Sequence, residues 1–446
     1  MAAAPSPETI FAQASGVGRA GVAVWRLSGP AAGPVLRRLT GRPLPAPRRA
    51  RLAVLADAAG EPIDRALTLW FPAPASFTGE DVVELHCHGG RAVAAAITGA
   101  LLGLGLRPAE AGEFSRRAFG HGKLDLTQAE AIADLTAAET AAQRRQAWRQ
   151  MDGGLMRLYE GWRQGLLAAQ AHLEAEIDFA DEDLPAGVGS AARRALGDLA
   201  GEMESHLADG GRGERLRDGL SVAILGAPNV GKSSLLNRIA GRPAAIVSSL
   251  AGTTRDVIEV HLDLGGFPVI LADTAGLREV ADAVEAEGVR RAQARAASAD
   301  LRLVVLDGQA LPALDGASLA LLGEGSLVVV NKRDLTAGSW PAQIGGQPVL
   351  AVSAATGEGI DELLSGLAGR AAEMLAGGEA PALTRARHRL ALSEACQALR
   401  RGRQEPLPEL AAEDVRVAAR AVGRITGRVD VEEMLDVIFR DFCIGK

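Results

Sequence analysis

The chain has only three cysteines, Cys87, Cys396 and Cys443, and no two stand in C-x-x-C spacing. So odd and sparse a set excludes a disulfide framework and points to a reducing compartment. No apolar stretch approaches membrane-spanning length, and the start, Met1-Ala-Ala-Ala-Pro-Ser-Pro-Glu8, has neither a basic nor an apolar leader region. A cytoplasmic protein with no membrane association is expected. There is also no excess of basic charge: 48 Lys and Arg against 55 Asp and Glu leave a net charge of -7, which argues against coating nucleic acid by charge alone. What remains is the composition of a soluble globular protein, 48% hydrophobic and 23% charged. At 446 residues it is too long for one core and suits about three domains.

The organising stretch is Gly226-Ala-Pro-Asn-Val-Gly-Lys-Ser-Ser234, placed directly behind the apolar run Ser221-Val-Ala-Ile-Leu225. Strand, G-x-x-x-x-G-K-S and the helical Leu235-Leu-Asn-Arg238 follow in the order a phosphate-binding loop requires. Its glycines let successive N–H groups face one anion, to which the helix N-terminus adds partial positive charge. Lys232 would reach the outer phosphates, and the Ser233 hydroxyl would ligate Mg²⁺.

Four further elements follow. Ser248-Ser-Leu-Ala-Gly-Thr-Thr-Arg-Asp256 is a polar loop whose Thr253 and Thr254 stand where a switch threonine meets Mg²⁺. Val269-Ile-Leu-Ala-Asp-Thr-Ala-Gly276 is a strand ending in D-x-x-G, so Asp273 backs the Mg²⁺ and Gly276 offers its N–H to the γ-phosphate. Leu327-Val-Val-Val-Asn-Lys-Arg-Asp334 carries N-K-x-D: Asp334 accepts the two donor protons on the guanine edge, while Asn331 and Lys332 brace the base. Adenine lacks that donor pair and would leave the carboxylate unpaired. Ser353-Ala-Ala355, after the strand Val349 to Val352, stands where a backbone N–H meets guanine O6. The expected GTP contacts are thus Asn229, Val230, Gly231, Lys232, Ser233, Ser234, the loop Ser248, Ser249, Leu250, Ala251, Gly252, Thr253 and Thr254, then Asp273, Thr274, Ala275, Gly276, Asn331, Lys332, Asp334, Ser353, Ala354 and Ala355.

One piece of hydrolysis machinery is missing. Leu277 follows D-x-x-G where a Ras-like GTPase has a water-orienting glutamine. Arg255, Arg278 and Arg290 lie near the switches without being placed as an internal finger. Slow intrinsic hydrolysis follows, unless a monovalent cation held by Asn229 and carbonyls of the 248–254 loop supplies the charge.

Around this nucleotide domain the texture changes. Residues 9 to about 118 alternate short strands, at Gly21–Trp25, Ala50–Leu55, Ala66–Trp70 and Val82–Leu85, with Gly and Pro clusters, and add one helix from about Arg91 to Leu104. Within them Glu84-Leu-His-Cys-His88 holds metal-ligand residue types, but no second His/Cys pair accompanies it, so a strand end lining a polar pocket is the better reading. Arg26, Glu84 and Lys123, taken singly, read as solvated charges. From about 119 to 218 the spacing predicts helices over Asp125–Leu135, over one long segment from Gln143 to Glu176, and over Ala191–Leu207. Linkers at Gly210-Gly-Arg-Gly and Gly377-Gly-Glu-Ala-Pro381 bracket the nucleotide domain, and helices resume over about 384–402, 408–425 and 430–442. The simplest assembly packs both helical parts together with the nucleotide domain inserted between them.

The combination resembles the MnmE (TrmE) family of tRNA-modifying GTPases. Beside the nucleotide motifs, the matching stretches are Ala251-Gly-Thr-Thr-Arg-Asp256, Asp273-Thr-Ala-Gly-Leu-Arg278, Phe77-Thr-Gly-Glu-Asp81, His88-Gly-Gly90, Gly112-Glu-Phe-Ser115, Lys123-Leu-Asp-Leu126 and the ending Cys443-Ile-Gly-Lys446, covering essentially the whole chain. The resemblance implies a multidomain fold: an α+β folate-binding-like and dimerising N-terminal domain at 1–118, a discontinuous α-helical domain at 119–218 and 377–446, and an inserted α/β P-loop (Ras-like) G domain at 219–376. It implies a homodimer that joins an FAD-dependent partner, MnmG (GidA), as a heterotetramer. Together they add an aminomethyl or carboxymethylaminomethyl group to the wobble uridine of certain tRNAs from a tetrahydrofolate derivative (5-formyl or methylene form), with K⁺ activating hydrolysis through contact of two G domains. Carried over by motif, Asn229, Ser248, Leu250 and Thr253 would hold K⁺, and Ser233 and Thr254 Mg²⁺. Glu285 would orient water through a bridging water, Arg26, Glu84, Lys123 and Lys446 would contact folate, and Cys443 would serve the modification. Ser248 departs from the threonine common in the family but keeps an oxygen donor.

A regulatory GTPase of the Era or EngA kind is the alternative. Residues 9–118 speak against its usual basic RNA-binding module, being neither markedly basic nor supplied with stacking aromatics.

Overall fold

A computed structural model describes residues 8–178, 188–246, 259–273, 299–311, 319–320, 322–323, 325–336, 340–378, 380–429, 432–440 and 442–445. The chain divides into two compact units, one of residues 1–133, 150–200 and 394–446, the other of 134–149 and 201–393.

The first unit holds a six-stranded sheet in the order β3-β4-β5-β2-β1-β6, built from β1 (Ile10–Gln13), β2 (Ala20–Ser28), β3 (Arg51–Ala56), β4 (Pro62–Phe71), β5 (Val82–Gly89) and β6 (Arg107–Pro108). Only the β1–β6 pair is parallel. Alternation along β2 and β5 sends Trp25, Leu27, Val83, Leu85 and Cys87 into one core beneath α1 (Ala32–Thr40) and α2 (Arg91–Gly103). The opposite face carries Arg26 and Glu84, which the β2–β5 register places directly across from each other. Burial of Cys87 pushes its thiol up to about 12, and Cys396 is buried too, whereas Cys443 is exposed. Alkylation of the native protein at mildly alkaline pH should therefore label Cys443 alone, read by peptide mass mapping; labelling of Cys87 at a similar rate would contradict the burial.

Two helices of this unit lie outside the periodic segments read from the sequence, α1 and α3 (Glu113–Gly120). Pro34 sits in the first turn of α1, where its missing N–H costs nothing, and Gly41 closes the helix in the left-handed conformation at φ 62°. The helix Asp125 introduces is α4 (Leu126–Ala137), where the Asp125 carboxylate accepts from the N–H groups of Thr127 and Gln128. The long helix expected over 143–176 is two: α5 (Ala141–Met151) and α6 (Gly154–Asp178). Gly153 takes φ 82° between them, a backbone an uninterrupted helix cannot contain.

α6 buries Leu155, Tyr159, Trp162, Leu166, Ala169 and Leu173, a stripe of three- and four-residue steps. It packs against the later helix Pro408–Thr426, whose Ala411, Val415, Ala418, Val422 and Ile425 repeat the spacing. Helical segments from before and after the nucleotide domain thus share one core. Further helices are α7 (Val188–Leu207), α8 (Arg212–Asp218) and α9 (Lys232–Ala240), then α10 (Ile360–Leu375), α11 (Ala386–Gln404), α12 (the Pro408–Thr426 helix) and α13 (Glu432–Arg440).

The second unit holds a sheet in the order β12-β13-β11-β10-β7-β9-β8, from β7 (Leu220–Leu225), β8 (Glu259–Leu264), β9 (Phe267–Asp273), β10 (Leu301–Asp307), β11 (Leu327–Asn331), β12 (Gln343–Ile344) and β13 (Gln347–Ala351). The five central strands are parallel, and antiparallel β8 and β12 close the edges. Because both faces are covered, strands such as Leu327-Val-Val-Val330 read as unbroken apolar runs. Each of these buried side chains contributes about 1.5–3 kcal/mol. The chain entering and the chain leaving this sheet are tied together: Arg217 donates to the Thr384 carbonyl at 3.1 Å, and Arg389 pairs with Asp209 at 2.7 Å and Glu214 at 3.1 Å. The β8–β9 turn is fastened to the start of α5, with the Ala142 N–H donating to the Gly266 carbonyl at 3.0 Å and His261 bonded to Glu139 at 3.1 Å.

Candidate functional site

The site grows from the carboxyl ends of the parallel strands, where open α/β sheets place their ligands. β7 runs into a loop with Gly226 at φ 146°, Asn229 at φ 64° and Gly231 at φ 95°, and α9 begins at Lys232. Alternating hand along the backbone makes a concave row of N–H groups ahead of the helix, an anion cradle. The glycines are obligatory: a Cβ on Gly226 would collide with the Val305 carbonyl, and one on Gly231 with the Asn331 amide.

Lys232 folds back over the loop, and its Nζ donates to the carbonyls of Gly226 and Ala227, both at 2.8 Å. Burial pulls its pKa below the ordinary value, while the Asp273 charge pulls it up. Two neutral carbonyls are poor compensation for a buried ammonium, which suits a site completed by phosphate. The β7–β9 register sets Asp273 beside Ile224, and the Ser233 hydroxyl donates to Asp273 Oδ2 at 2.6 Å. A hydroxyl and a buried carboxylate at this spacing are hard oxygen donors of the kind Mg²⁺ takes.

The base end is organised by Asn331. Its amide donates to the Val230 carbonyl at 2.8 Å and accepts from the Ala354 N–H at 3.0 Å, tying the phosphate loop to the 353–355 loop. Lys332 takes φ 65° and pairs with Asp307 at 2.6 Å, since Asp307 stands opposite Asn331 in the β10–β11 register. Ser353 is buried and donates to Asp334 Oδ1 at 2.6 Å, which pins the exposed carboxylate and leaves Oδ2 out of that bond. Arg238 reaches across from α9 to the carbonyls of Ala354, at 2.9 Å, and Ala355. Of the expected GTP contacts, the structure brings together Asn229 through Ser234, Asp273, Asn331, Lys332, Asp334 and Ser353 through Ala355. Ser248, Ser249, Leu250, Ala251, Gly252, Thr253, Thr254, Thr274, Ala275, Gly276 and Glu285 lie outside the described residues, as do Lys446, Arg255, Leu277, Arg278 and Arg290.

A second cluster lies in the first unit. Arg26 and Glu84, which look like separate solvated charges in the sequence, form a half-buried pair with bonds of 3.1 and 2.9 Å. Strand pairing joins them across 58 residues, a proximity no local pattern reports. His86 approaches the same carboxylate at 3.4 Å, and the Arg26 guanidinium lies 5.5 Å from the Phe77 ring and 5.9 Å from that of Phe114. Behind it the buried Arg117 binds Glu80 at 3.0 Å and Glu113 at 2.9 Å. Phe77, Phe114 and Arg117 have no role of their own in the sequence reading, although Phe77 and Phe114 lie within the Phe77–Asp81 and Gly112–Ser115 motifs. Lys123 is exposed, with its Cε near Gly79. Ile444 bridges to Ala111, so Cys443 stands close to this unit's sheet. Among the described residues no His, Cys, Asp or Glu side chains gather into a metal-holding group of three.

A P-loop fold with a guanine-reading N-K-x-D strand end defines a GTPase. Family models described as the GTP-binding protein TrmE N-terminus and the MnmE helical domain match residues 9–123 and 126–443. A protein of Paramagnetospirillum magneticum named tRNA modification GTPase MnmE is 65% identical over 439 residues, 98% of this chain and 100% of that one. One of the same name from Rhodospirillum rubrum is 60% identical over 453 residues, 98% of this chain and 99% of that one. The chain belongs to the MnmE family. Among solved structures, the G domain of the T. maritima FeoB iron transporter is 25% identical, covering 34% of this chain and 98% of its own at a TM-score of 0.26. Among the described residues no helix is long and apolar enough to cross a membrane.

Proposed function

We propose that this chain couples GTP hydrolysis to tRNA modification: with an FAD-dependent MnmG-type partner it adds a (carboxymethyl)aminomethyl group to the wobble uridine, using a one-carbon tetrahydrofolate derivative. The observation that carries the reading is the near full-length identity to MnmE proteins, joined to a site where one buried amide, Asn331, couples phosphate and base recognition. The division at 118, 218 and 376, the homodimer and the cytoplasmic location belong to the same proposal.

In this reading the loop N–H groups and Lys232 bind and orient the phosphates. Ser233 and Thr254 would hold Mg²⁺, with Asp273 backing Ser233, and the ion when bound would neutralise developing charge on the phosphates. Asn229 stands in the phosphate loop and would share K⁺ with Ser248, Leu250 and Thr253. Glu285 would orient the attacking water through a bridging water, taking the role that Leu277 leaves vacant. The Arg26–Glu84 pair between Phe77 and Phe114 suits a flat, hydrogen-bonding heterocycle such as the folate pterin, with Lys123 and Lys446 completing the contacts and Cys443 serving the modification.

Three measurements test this. Hydrolysis should run faster in KCl than in NaCl at equal ionic strength, and equal rates would remove the K⁺ role. Glu285→Ala should lower kcat by about 10²–10³-fold with nucleotide affinity held within a few-fold; normal turnover would dismiss Glu285. Nucleoside analysis of tRNA from cells lacking the protein should show the wobble uridine unmodified. A fully modified uridine would refute the modification reading and leave the GTPase standing.

A further inference from the structure

The outward face of α5 has the makings of an RNA contact. Arg144, Arg145, Trp148 and Arg149 recur at one-, four- and five-residue steps, so they share one side of the helix, and all four are exposed. The opposite side is firmly held. Ala142 and Ala147 are buried, Gln143 donates to the Arg217 carbonyl and Gln146 to the Gly213 carbonyl, both at 2.9 Å. The exposed face is thus a fixed surface, not a frayed end.

Trp148 is 57% exposed, whereas Trp25, Trp70 and Trp162 are buried and Trp340 is half-buried. In a chain with so few aromatic residues, leaving an indole in water forgoes the burial that the other tryptophans gain. The arginines beside it are also unspent. Among the described residues Arg144 and Arg145 have no carboxylate partner, and Arg149 reaches only the Gly378 carbonyl, at 3.4 Å. Arg212, from α8, lies against Gly377 and likewise has no carboxylate partner among the described residues. Elsewhere in the same unit Arg215, Arg242, Arg385 and Arg389 are all in ion pairs. Against a net charge of -7, four cations left together mark a patch whose counter-charge comes from another molecule.

We propose that this face binds an unpaired segment of the tRNA, with a base stacked on Trp148 and the flanking phosphates on Arg144, Arg145 and Arg149. The proposal rests on the reading that tRNA is the substrate. Helical neighbours one turn apart stand about 5–6 Å from each other, which matches the reach from a base to its neighbouring phosphate. Charge alone would suit an acidic protein surface equally. The exposed indole favours RNA, and unpaired RNA in particular, since a base within a duplex offers no free face for stacking.

The test uses the full-length protein and a fluorescein-labelled, unmodified tRNA transcript, titrated at several KCl concentrations. Trp148→Ala should weaken binding about tenfold with the salt dependence unchanged, and Trp148→Phe should restore most of the loss. Arg144→Gln combined with Arg145→Gln should lower the slope of log affinity against log salt by about 1.4, two phosphate contacts' worth. GTP hydrolysis without tRNA and the melting temperature should stay at the parent values in all three. If the parent binds tRNA and the variants bind it equally well with the same slope, the surface is wrong, and an acidic protein becomes its occupant. A Trp148→Ala loss that Phe does not restore would overturn the stacking. A parent protein that binds no tRNA would remove the substrate reading and this surface with it.

Discussion

Asp334→Asn is expected to turn the nucleotide preference from guanine to xanthine. The carboxylate is held on one side by the Ser353 hydroxyl, 2.6 Å from Oδ1. In the variant the amide oxygen keeps that bond, so the NH₂ group takes the place of Oδ2 and faces the base. Guanine then brings its 2-amino donor against a donor, while xanthine brings a carbonyl oxygen. Sites built around such a bond reject the mismatched partner strongly, and the GDP-to-XDP affinity ratio should swing by on the order of 10³-fold or more. Competition of both diphosphates against a fluorescent nucleotide measures it. An unchanged ratio would show that Asp334 does not read the base.

Lys232→Ala should cost nearly as much, and in affinity alone. The ammonium is buried and has two carbonyls for company, Gly226 and Ala227, which it must release to grip phosphate. Exchanging neutral acceptors for anionic oxygens gains one or two charged hydrogen bonds, so its removal should weaken GTP by about 10²–10³-fold. The empty protein should lose little, because burial already depresses the lysine's pKa and so disfavours its charged form in the fold. Titration calorimetry beside thermal melting of the nucleotide-free protein separates the two quantities. A melting temperature that collapses along with the affinity would mean the lysine holds the loop itself.

The nucleotide end of this molecule was legible because its chemistry is local. G-x-x-x-x-G-K-S, D-x-x-G and N-K-x-D each place donors and acceptors within a few residues of a strand end, and periodicity locates the strands. The roles of Asn331 and Ser353 within those motifs were harder to see. The motif gives Asn331 a place beside the base, whereas the bond its amide makes is to the Val230 carbonyl 101 residues away. The same limit hid the Arg26–Glu84 pair, whose partners meet only through the β2–β5 register. α1 was obscured by the glycines and prolines around it, and the α5–α6 break by apolar spacing that continues through Gly153. In each case the deciding fact is a backbone angle or a distant neighbour.

The fastening of the β8–β9 turn to α5 joins two ends of the second unit. β9 finishes at Asp273, beside the phosphate loop, and begins at Phe267, next to the Gly266 carbonyl that holds Ala142. A strand is stiff along its length, so it serves as a pushrod whose far end bears on the helix that presents Trp148. A shift of Asp273 on γ-phosphate release would then be passed along β9 to α5, and the proposed grip on RNA would acquire a stroke timed by hydrolysis.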